Sequence, residues 1–334
     1  MKKQMLSLFT LLALAGCHDN NNRSRESEVV SQRYIHKYGY DVSPDEWQNN
    51  HYPGQVITTM RNGVTITSTY DDGFLDGPTT YTHPHSQTLE SVEIYSHGIL
   101  TKKTFYNVKG LPVREEQHLS PSRLKMTSWY KLGSPRAVEE YQDQALASAE
   151  YFNTKNECEA RVTNGQGERL TRDPKGLLLS SEKIEEGFVT MRKTFHKNGT
   201  PSSIVSFAGG TYHGEKRVFA ESGEPVSIEN YYKGQPHGVC SYFQNGVLYL
   251  EVSYNSGFKH GPERFYMDGT KLIEENQWVA GKRHGVSIVY LDGQTKREWF
   301  YNNEMVSKNK YDELLQRERD IAIQLERANG QGTF

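Results

Sequence analysis

The sequence predicts an all-β protein, an elongated and twisted array of about eleven β-hairpin repeats of 23–24 residues, closed by a C-terminal α-helix. First, a His-Gly pair recurs in the C-terminal half at intervals of 24, 23 and 24 residues, which is typical of a repeat architecture. Second, the stretches between the turns are rich in β-branched and aromatic residues, as strands are. The four pairs are His213-Gly214, His237-Gly238, His260-Gly261 and His284-Gly285.

Each repeat contains two tight turns. In the clearest copy, Gly257-x-x-His260-Gly261 makes the first turn and Asp268-Gly269 makes the second. Asp-Gly and Asn-Gly pairs supply the positive φ that tight hairpins need, at low steric cost. Each unit is therefore expected to be a β-hairpin that joins the next hairpin through the second turn.

The second turn can be followed toward the N-terminus at steps of 23 or 24 residues, with a single step of 20 between Asn156 and Gly176. Gln87 is a degenerate member, and Asp76-Gly77-Pro78 is a weak fifth copy of the His-Gly pair. The array is expected to span residues 55–307, although chance glycine spacing is the alternative over residues 80–170. The full series is Gly63, Gln87, Gly110, Gly133, Asn156, Gly176, Gly199, Gly223, Gly246, Gly269 and Gly293.

The composition limits the classes of partner. The formal net charge is −2, from 39 basic and 41 acidic residues that are interspersed along the chain. Without a basic stripe the chain lacks the electrostatic signature of nucleic-acid binding. The apolar content of 35% suits a thin sheet with little deep core. No apolar stretch after residue 16 is long enough to predict a membrane-spanning helix.

The N-terminus has the features of a targeting signal. A short basic start and an apolar stretch over residues 5–15 are followed by Leu14-Ala15-Gly16-Cys17, which resembles the lipobox of bacterial lipoproteins. The resemblance implies that residues 1–16 are a signal peptide, cleaved between Gly16 and Cys17, and that acylated Cys17 anchors the protein in the membrane. Because residue 18 is His and not Asp, we expect the periplasmic face of the outer membrane. An ordinary cleaved signal with an incidental cysteine is the alternative.

Both flanks of the array carry predictions. Residues 17–54 are expected to form a flexible tether and an N-terminal cap, with a short helix over residues 29–38. Residues 308–334 are expected to form a helix and tail, because apolar residues recur there at helical spacing from Tyr311 through Ile321 to Ala328. This helix would cover the open edge of the last hairpin. A helix that binds a partner is the alternative.

The sequence predicts no metal site, cofactor, disulfide or catalytic residues. Equivalent histidines of neighbouring repeats would lie about 10 Å apart, whereas zinc ligands lie ~2.0–2.1 Å from one point. Cys158 and Cys240 are 82 residues apart, roughly 30 Å along a regular array, so free thiols are expected. Asp71-Asp72-Gly73 is more typical of a hairpin turn than of a calcium site. No phosphate loop or nucleophile elbow is present, and we do not expect an enzyme.

The spacing Tyr-x-x-Gly-x-x-His-Gly-x-x-x-x-Tyr-x-Asp-Gly resembles MORN repeats, in the divergent form found in bacterial proteins of the YwqK-like antitoxin family. The resemblance is good over residues 207–304 and faint over residues 55–206. Asn303-Glu304 depart from the motif where the array ends, and the middle lacks the His-Gly pair, so an insertion with its own role is an alternative there. The resemblance implies a hairpin ribbon that binds protein, and some members resemble immunity proteins encoded beside a toxin.

The expected function is therefore that of a lipid-anchored periplasmic protein, an antitoxin or immunity protein that binds an envelope-targeting toxin such as a secreted antibacterial phospholipase. The expected partners are that protein and, through acylated Cys17, the membrane, with no nucleic acid and no small-molecule substrate. Two alternatives are an envelope scaffold without a toxin and direct lipid binding by the ribbon, which the near-neutral charge disfavours. Trp278 and Trp299 are candidate anchors for a partner, although Trp278 occupies the repeated aromatic position and is expected to pack in the core.

Overall fold

The computed structural model of the protein describes residues 28–291 and 293–330. The chain divides into two compact units with a boundary after Ile99. Both consist of consecutive antiparallel strands, and a helix follows the last strand, which confirms the predicted all-β hairpin array with its C-terminal helix. The predicted signal peptide, its cleavage position and Cys17 lie outside the described residues.

The first unit is an antiparallel sheet with one short helix. The strand β1 pairs with both β2 and β3, and from β3 to β6 each strand pairs with the next one along the chain. Its elements are β1 (Val29–His36), β2 (Asp41–Val42), α1 (Pro44–Asn50), β3 (Gly54–Met60), β4 (Thr65–Asp71), β5 (Phe74–Thr82) and β6 (Leu89–Ser96).

The helix predicted over residues 29–38 is wrong, because β1 is a strand that pairs with β3 from Val29 to His36. The apolar residues of this segment have only a weak helical spacing, and pairing with the otherwise exposed edge of β3 stabilises a strand instead. The β-branched residues of the segment also favour a strand. The helix of this region begins later. Ser43 caps α1 and exchanges capping-box hydrogen bonds with Glu46, and Pro44 occupies the first turn.

The second unit continues the same pattern over 21 strands. These are β7 (Ile99–Tyr106), β8 (Pro112–Ser120), β9 (Arg123–Trp129), β10 (Pro135–Gln142), β11 (Ala145–Phe152), β12 (Cys158–Thr163), β13 (Gln166–Arg172), β14 (Leu178–Glu185), β15 (Phe188–Phe195), β16 (Pro201–Ala208), β17 (Thr211–Phe219), β18 (Pro225–Tyr232), β19 (Gln235–Pro236), β20 (Gly238–Gln244), β21 (Val247–Asn255), β22 (Phe258–Met267), β23 (Lys271–Val279), β24 (Lys282–Arg283), β25 (Gly285–Leu291), β26 (Gln294–Tyr301) and β27 (Glu304–Val306). The helix α2 covers Lys308–Gly330.

The glycine of each His-Gly pair lies opposite an aromatic residue of the next strand. The register pairs Gly238 with Tyr254 and Gly261 with Trp278. Gly261 has a φ of +94°, which explains why this position needs glycine. In the first unit Gly77 pairs with Tyr95 in the same way, so the weak fifth copy has the same local structure. The other glycines of the four pairs follow the rule, Gly214 opposite Tyr231 and Gly285 opposite Phe300.

The second turns also have the predicted backbone conformation. A positive φ occurs at Gly223, Gly246, Gly269 and Gly293, and at Asn156 where the series lacks glycine. The assignment of Gln87 is wrong in register. In that turn Ser86 donates to the carbonyl of His83 and His85 has the positive φ, because the turn is one residue longer than the others.

Hydrogen bonds between turns connect each hairpin to the next. The N–H of Gly257 donates to the carbonyl of Pro236 (2.9 Å), and the N–H of Gly281 donates to that of Lys259 (2.8 Å). Each acceptor is the residue just before the histidine of the preceding repeat. The same bond joins Gly234 to Tyr212, Asn303 to Arg283 and, in the first unit, Gly98 to Leu75.

The repeated histidines strengthen these connections. The Nδ1 atom of His237 accepts from the N–H of Ser256, and that of His260 accepts from the N–H of Ala280, both at 3.4 Å. In both cases the partner of the imidazole lies in the turn of the following hairpin. Two of the four histidines therefore bond to the next turn, whereas His213 and His284 contact the rings of Tyr232 and Tyr301.

A row of cross-strand neighbours combines charged and apolar side chains, with Glu182 and Val205 buried, Lys216 and Glu229 half-buried and Arg192 exposed. Cross-strand pairing places Glu182, Arg192, Val205, Lys216 and Glu229 side by side on five successive strands. Opposite charges within this row pair, as in the 3.0 Å contact between Lys216 Nζ and Glu229 Oε2. The thin sheet therefore gains part of its interior from ion pairs and hydrogen bonds.

The helix α2 packs mainly through its first two turns. Tyr311 is buried and its ring lies 5.3 Å from that of Trp299, while Tyr301 donates to Glu318 (2.6 Å). Side chains beyond Leu315 are exposed as far as residue 326, and so is the segment of β26 from Gln294 to Arg297. The helix therefore covers only the end of the last long strand, and Trp299 serves to hold it.

We predict that replacing His260 by Ala lowers the free energy of unfolding by about 1 kcal/mol, because the N–H of Ala280 loses its side-chain acceptor. His260→Asn should restore part of the loss, since its amide oxygen can accept the same bond. Urea unfolding monitored by circular dichroism measures both changes. Equal stability of the wild type and His260→Ala would refute the role of the imidazole.

We also predict an alkaline loss of stability in the first unit. Tyr81 and Tyr95 both donate to Glu93 (3.1 and 2.8 Å), and burial together with this carboxylate raises the pKa of each to about 12. Because an unfolded tyrosine titrates near 10, this stabilisation is complete below pH 10 and is lost as the pH rises toward about 12.

The tyrosine ¹³Cζ resonances report the two titrations directly, and urea unfolding between pH 9 and pH 11.5 reports stability. Tyr95→Phe should lose less stability over this range than the wild type. Tyr38→Phe, which alters an exposed tyrosine, is the matched control and should follow the wild type. Wild-type stability that does not change over the range contradicts the prediction.

Candidate binding cleft at a corner of the array

Three successive turns of the second unit form a closed ring of backbone hydrogen bonds. The N–H of Gly165 donates to Ala147 (2.8 Å), that of Gly187 to Gly165 (3.0 Å), and that of Leu146 to Gly187 (3.0 Å). In a flat sheet at least three strand spacings, roughly 14 Å, would separate Leu146 from Gly187. The sheet therefore bends sharply here, and we call residues 130–187 the corner.

The corner coincides with the single 20-residue step between Asn156 and Gly176. The shortened repeat leaves β12 and β13 with only two register pairs, Val162–Gly167 and Thr163–Gln166. An added Cβ at Gly187 would lie 2.7 Å from that of Ala145, so small residues are needed where the turns meet.

A hydrophobic cluster fills the inside of the corner. Its buried members come from four strands, β10, β11, β12 and β14, which shows that the bend brings separated strands together. Among them, Tyr151 and Ile184 are each only 2% exposed. The members are Ala137, Leu146, Ala149, Tyr151, Val162 and Ile184.

The opposite ends of the same hairpins also approach one another. The hydroxyl of Tyr130 donates to the carbonyl of Phe152 (2.6 Å), and the N–H of Lys131 points to that of Pro174 (3.4 Å). Beside this meeting point lies a cleft of about 250 Å³. Four arginines and one carboxylate line it together with small polar and apolar side chains, and we call it the arginine cleft. Its charged lining residues are Arg114, Arg136, Arg169, Arg172 and Glu139.

A buried charge network supports one wall of the cleft. Arg169 Nε donates to Glu139 Oε1 (2.9 Å), and its Nη1 lies 3.5 Å from Glu182 Oε2. Glu139 also accepts from Tyr141 and Tyr151 (2.9 and 2.8 Å). Burial alone would lower the pKa of Arg169, but the surrounding charges, Glu139 first, outweigh it and raise that pKa. Burial and then Glu139 raise the pKa of Tyr151, so the tyrosine stays neutral and the arginine charged.

The other arginines differ in their partners. Arg172 pairs with Glu159 (2.6 Å) and Arg114 with Glu116 (2.6 Å). Arg136 instead donates only to neutral acceptors, from Nε to Ser128 Oγ (3.3 Å) and from Nη1 to the carbonyl of Arg172 (3.2 Å). No carboxylate in the described part of the chain pairs with Arg136.

Exposed apolar side chains lie near the cleft at the turn tips. Leu132, which follows Lys131, is 91% exposed, and Leu177, near Pro174, is 37% exposed. Arginine combined with apolar side chains is the chemistry that protein interfaces favour. The arrangement can hold a polypeptide segment with both apolar and acidic groups.

The residues singled out from the sequence lie elsewhere. The His-Gly pairs and the last four turn glycines are spread over residues 213–293, and the structure does not bring them into one site. Cys158 is exposed on β12, Cys240 is buried on β20, and both are free. Trp278 packs within the sheet and donates to Glu263 (3.0 Å). Asp72 and Gly73 form the turn between β4 and β5.

Sequence reasoning missed the cleft. A signal was available, because the 20-residue step falls in the segment without His-Gly pairs, and the small residues Ala145, Ala147 and Ala149 lie shortly before it in the sequence. The arginines themselves carry no motif. Within the described residues no three potential metal ligands cluster, and neither described helix has the length and apolar character needed to span a bilayer.

No protein-family model matches the chain, and no curated protein matches it in sequence.

We predict that Gly187→Ala destabilises the second unit more than Gly199→Ala. Both glycines have a similar φ (+80° and +86°), which strains alanine by about 1–2 kcal/mol. Only Gly187 has neighbours within 4 Å of an added Cβ, so overpacking should bring its total loss to about 2–5 kcal/mol. Urea unfolding gives both values, and equal losses would mean that the corner is not closely packed.

Proposed function

We propose that this chain is a protein-binding repeat protein of the bacterial cell envelope that neutralises an envelope-directed toxin by direct contact. The observation that carries the proposal is the corner, where a concave cleft with exposed apolar side chains interrupts an otherwise regular hairpin array. Repeat arrays present extended surfaces for partners, with specificity in residues that depart from the repeat. The likeness of the repeat motif to MORN repeats and the lipobox-like Leu14–Cys17 segment support the same proposal.

The physical argument combines rigidity with exposed groups. The ring of turn hydrogen bonds and the Glu139 network hold the cleft walls before any partner arrives. A surface that is already ordered loses less conformational entropy on binding than a flexible one. Leu132 offers apolar area next to the arginine cleft, so a partner can bury it while its polar groups meet the arginines.

Co-expression in the periplasm with the product of the adjacent gene tests this proposal. We expect a stable complex on purification and normal growth of cells that otherwise arrest. Leu132→Glu should weaken both, because it places a charge in the interface, whereas Leu291→Glu on the distant β25 is the matched exposed control. A morphology or permeability defect in a deletion strain, with no toxin sensitivity, would instead identify an envelope scaffold.

A further prediction concerns the anchor. Cys17→Ser should move the protein from the membrane fraction to the soluble periplasmic fraction, because several acyl chains are needed for stable anchoring. Binding of the toxin should persist, since the cleft lies in residues 114–172. Fractionation followed by immunoblotting measures the change, and an unchanged membrane fraction for Cys17→Ser excludes lipidation at this cysteine.

A further inference from the structure

We propose that the arginine cleft is a carboxylate-binding site and that Arg136 is its anchoring residue, which receives an acidic side chain of the partner protein. This inference rests on the proposed function for the source of the carboxylate, whereas the site itself rests on the geometry of the cleft.

Two hydrogen bonds hold the guanidinium group of Arg136 in position, but most of its N–H donors are not engaged. A guanidinium group carries five N–H donors, and two of those of Arg136 bond to Ser128 Oγ and to the carbonyl of Arg172. The other three have no acceptor among the described residues. Both existing partners are neutral, so they orient the guanidinium without cancelling its charge. A planar carboxylate matches the remaining fork because it can accept two parallel bonds.

The charges around the cleft leave Arg136 unmatched. Arg169 faces Glu139 and Glu182, Arg172 faces Glu159, and Arg114 faces Glu116. Glu182 is shared, since Arg192 also pairs with it. The paired arginines still turn positive groups toward the cleft, where Glu139 is the single lining carboxylate. The positive charge of the cleft therefore attracts an anion, which can form an ion pair with Arg136.

The size and lining of the cleft favour a side chain as the occupant. Its volume of about 250 Å³ is below the range of about 300–1,000 Å³ typical of sites for small molecules. Met126, Ala137 and Leu170 give it apolar lining, which suits the methylene groups of a glutamate. An exposed leucine lies at the neighbouring turn, so a polypeptide can bury apolar area and a carboxylate together.

The test uses the unacylated full chain and three probes, the peptides acetyl-Gly-Glu-Gly-amide and acetyl-Gly-Gln-Gly-amide and inorganic phosphate. The ¹⁵Nε resonance of Arg136, assigned by its absence from Arg136→Lys, reports binding in the wild type, and the backbone amide of Ala137, which lines the cleft, reports binding in the wild type and in every variant. We expect a saturable shift with the glutamate peptide, weaker binding of phosphate, and no shift with the glutamine peptide. Arg136→Gln should weaken the glutamate peptide about tenfold, as loss of a charged hydrogen bond does.

Arg297→Gln, which removes an exposed arginine of β26, is the matched control and should leave peptide binding unchanged. Circular dichroism checks that the Arg136 variants fold, and Arg136→Lys should bind with intermediate affinity because it keeps the charge without the fork. The proposed carboxylate site would be contradicted by any of three results. These are equal shifts from both peptides, tighter binding of phosphate than of the glutamate peptide, and an unchanged affinity of Arg136→Gln for the glutamate peptide. Peptide binding without a toxin complex would leave the site intact and reject the proposed function.

Discussion

The hydrogen bond from one hairpin turn to the next is the interaction on which the rest of the array depends. A single hairpin is marginally stable in water, and a thin sheet has little interior to hold its hairpins in register. The bond from Gly257 to Pro236, repeated from Gly281 to Lys259, fixes each hairpin relative to its neighbour. In two of the repeats the histidine, His237 or His260, adds a side-chain acceptor for the N–H of the adjacent turn.

The corner uses the same bond with a different partner. Gly187 donates to Gly165 itself, and Leu146 donates back to Gly187, so the linear series becomes a ring. This closure requires glycine at position 187, because an added Cβ there would lie 2.7 Å from that of Ala145. It also draws Arg169 of β13 toward Glu139 of β10, although two strands lie between them. The arginine cleft is therefore a consequence of one shortened repeat.

The sequence was sufficient for the repeat because its turns obey local rules. Glycine at a positive φ, as at Gly261, and Asp-Gly turns such as that ending at Gly269 need no tertiary information. The corner could not be predicted in the same way, because its ring joins residues whose pairing depends on the bend itself. The strand at Val29–His36 was missed because its conformation depends on the edge of β3. The short helix after Ser43 was within reach, since its capping box is visible in the sequence.

The arginines illustrate a second limit of sequence reasoning. Arg172 pairs with a carboxylate, whereas Arg136 bonds only to neutral acceptors. This difference arises only because the fold brings β9 and the end of β13 to the same arginine, Arg136. A network of buried tyrosine, glutamate and arginine side chains holds the walls, and leaves one guanidinium group for a partner. A repeat that is three residues shorter than the others thus gives rise to the proposed binding surface.

The most direct test is the nuclear Overhauser effect between the amide proton of Leu146 and the α protons of Gly187, measured on the full chain deuterated except at its glycines, which keep their α protons. We predict a cross-peak, together with slow hydrogen exchange of the Leu146 amide, because the two residues share a 3.0 Å hydrogen bond. A regular array would separate them by roughly 14 Å. Absence of the cross-peak, with exchange as fast as in an open turn, would contradict the corner and the cleft that depends on it.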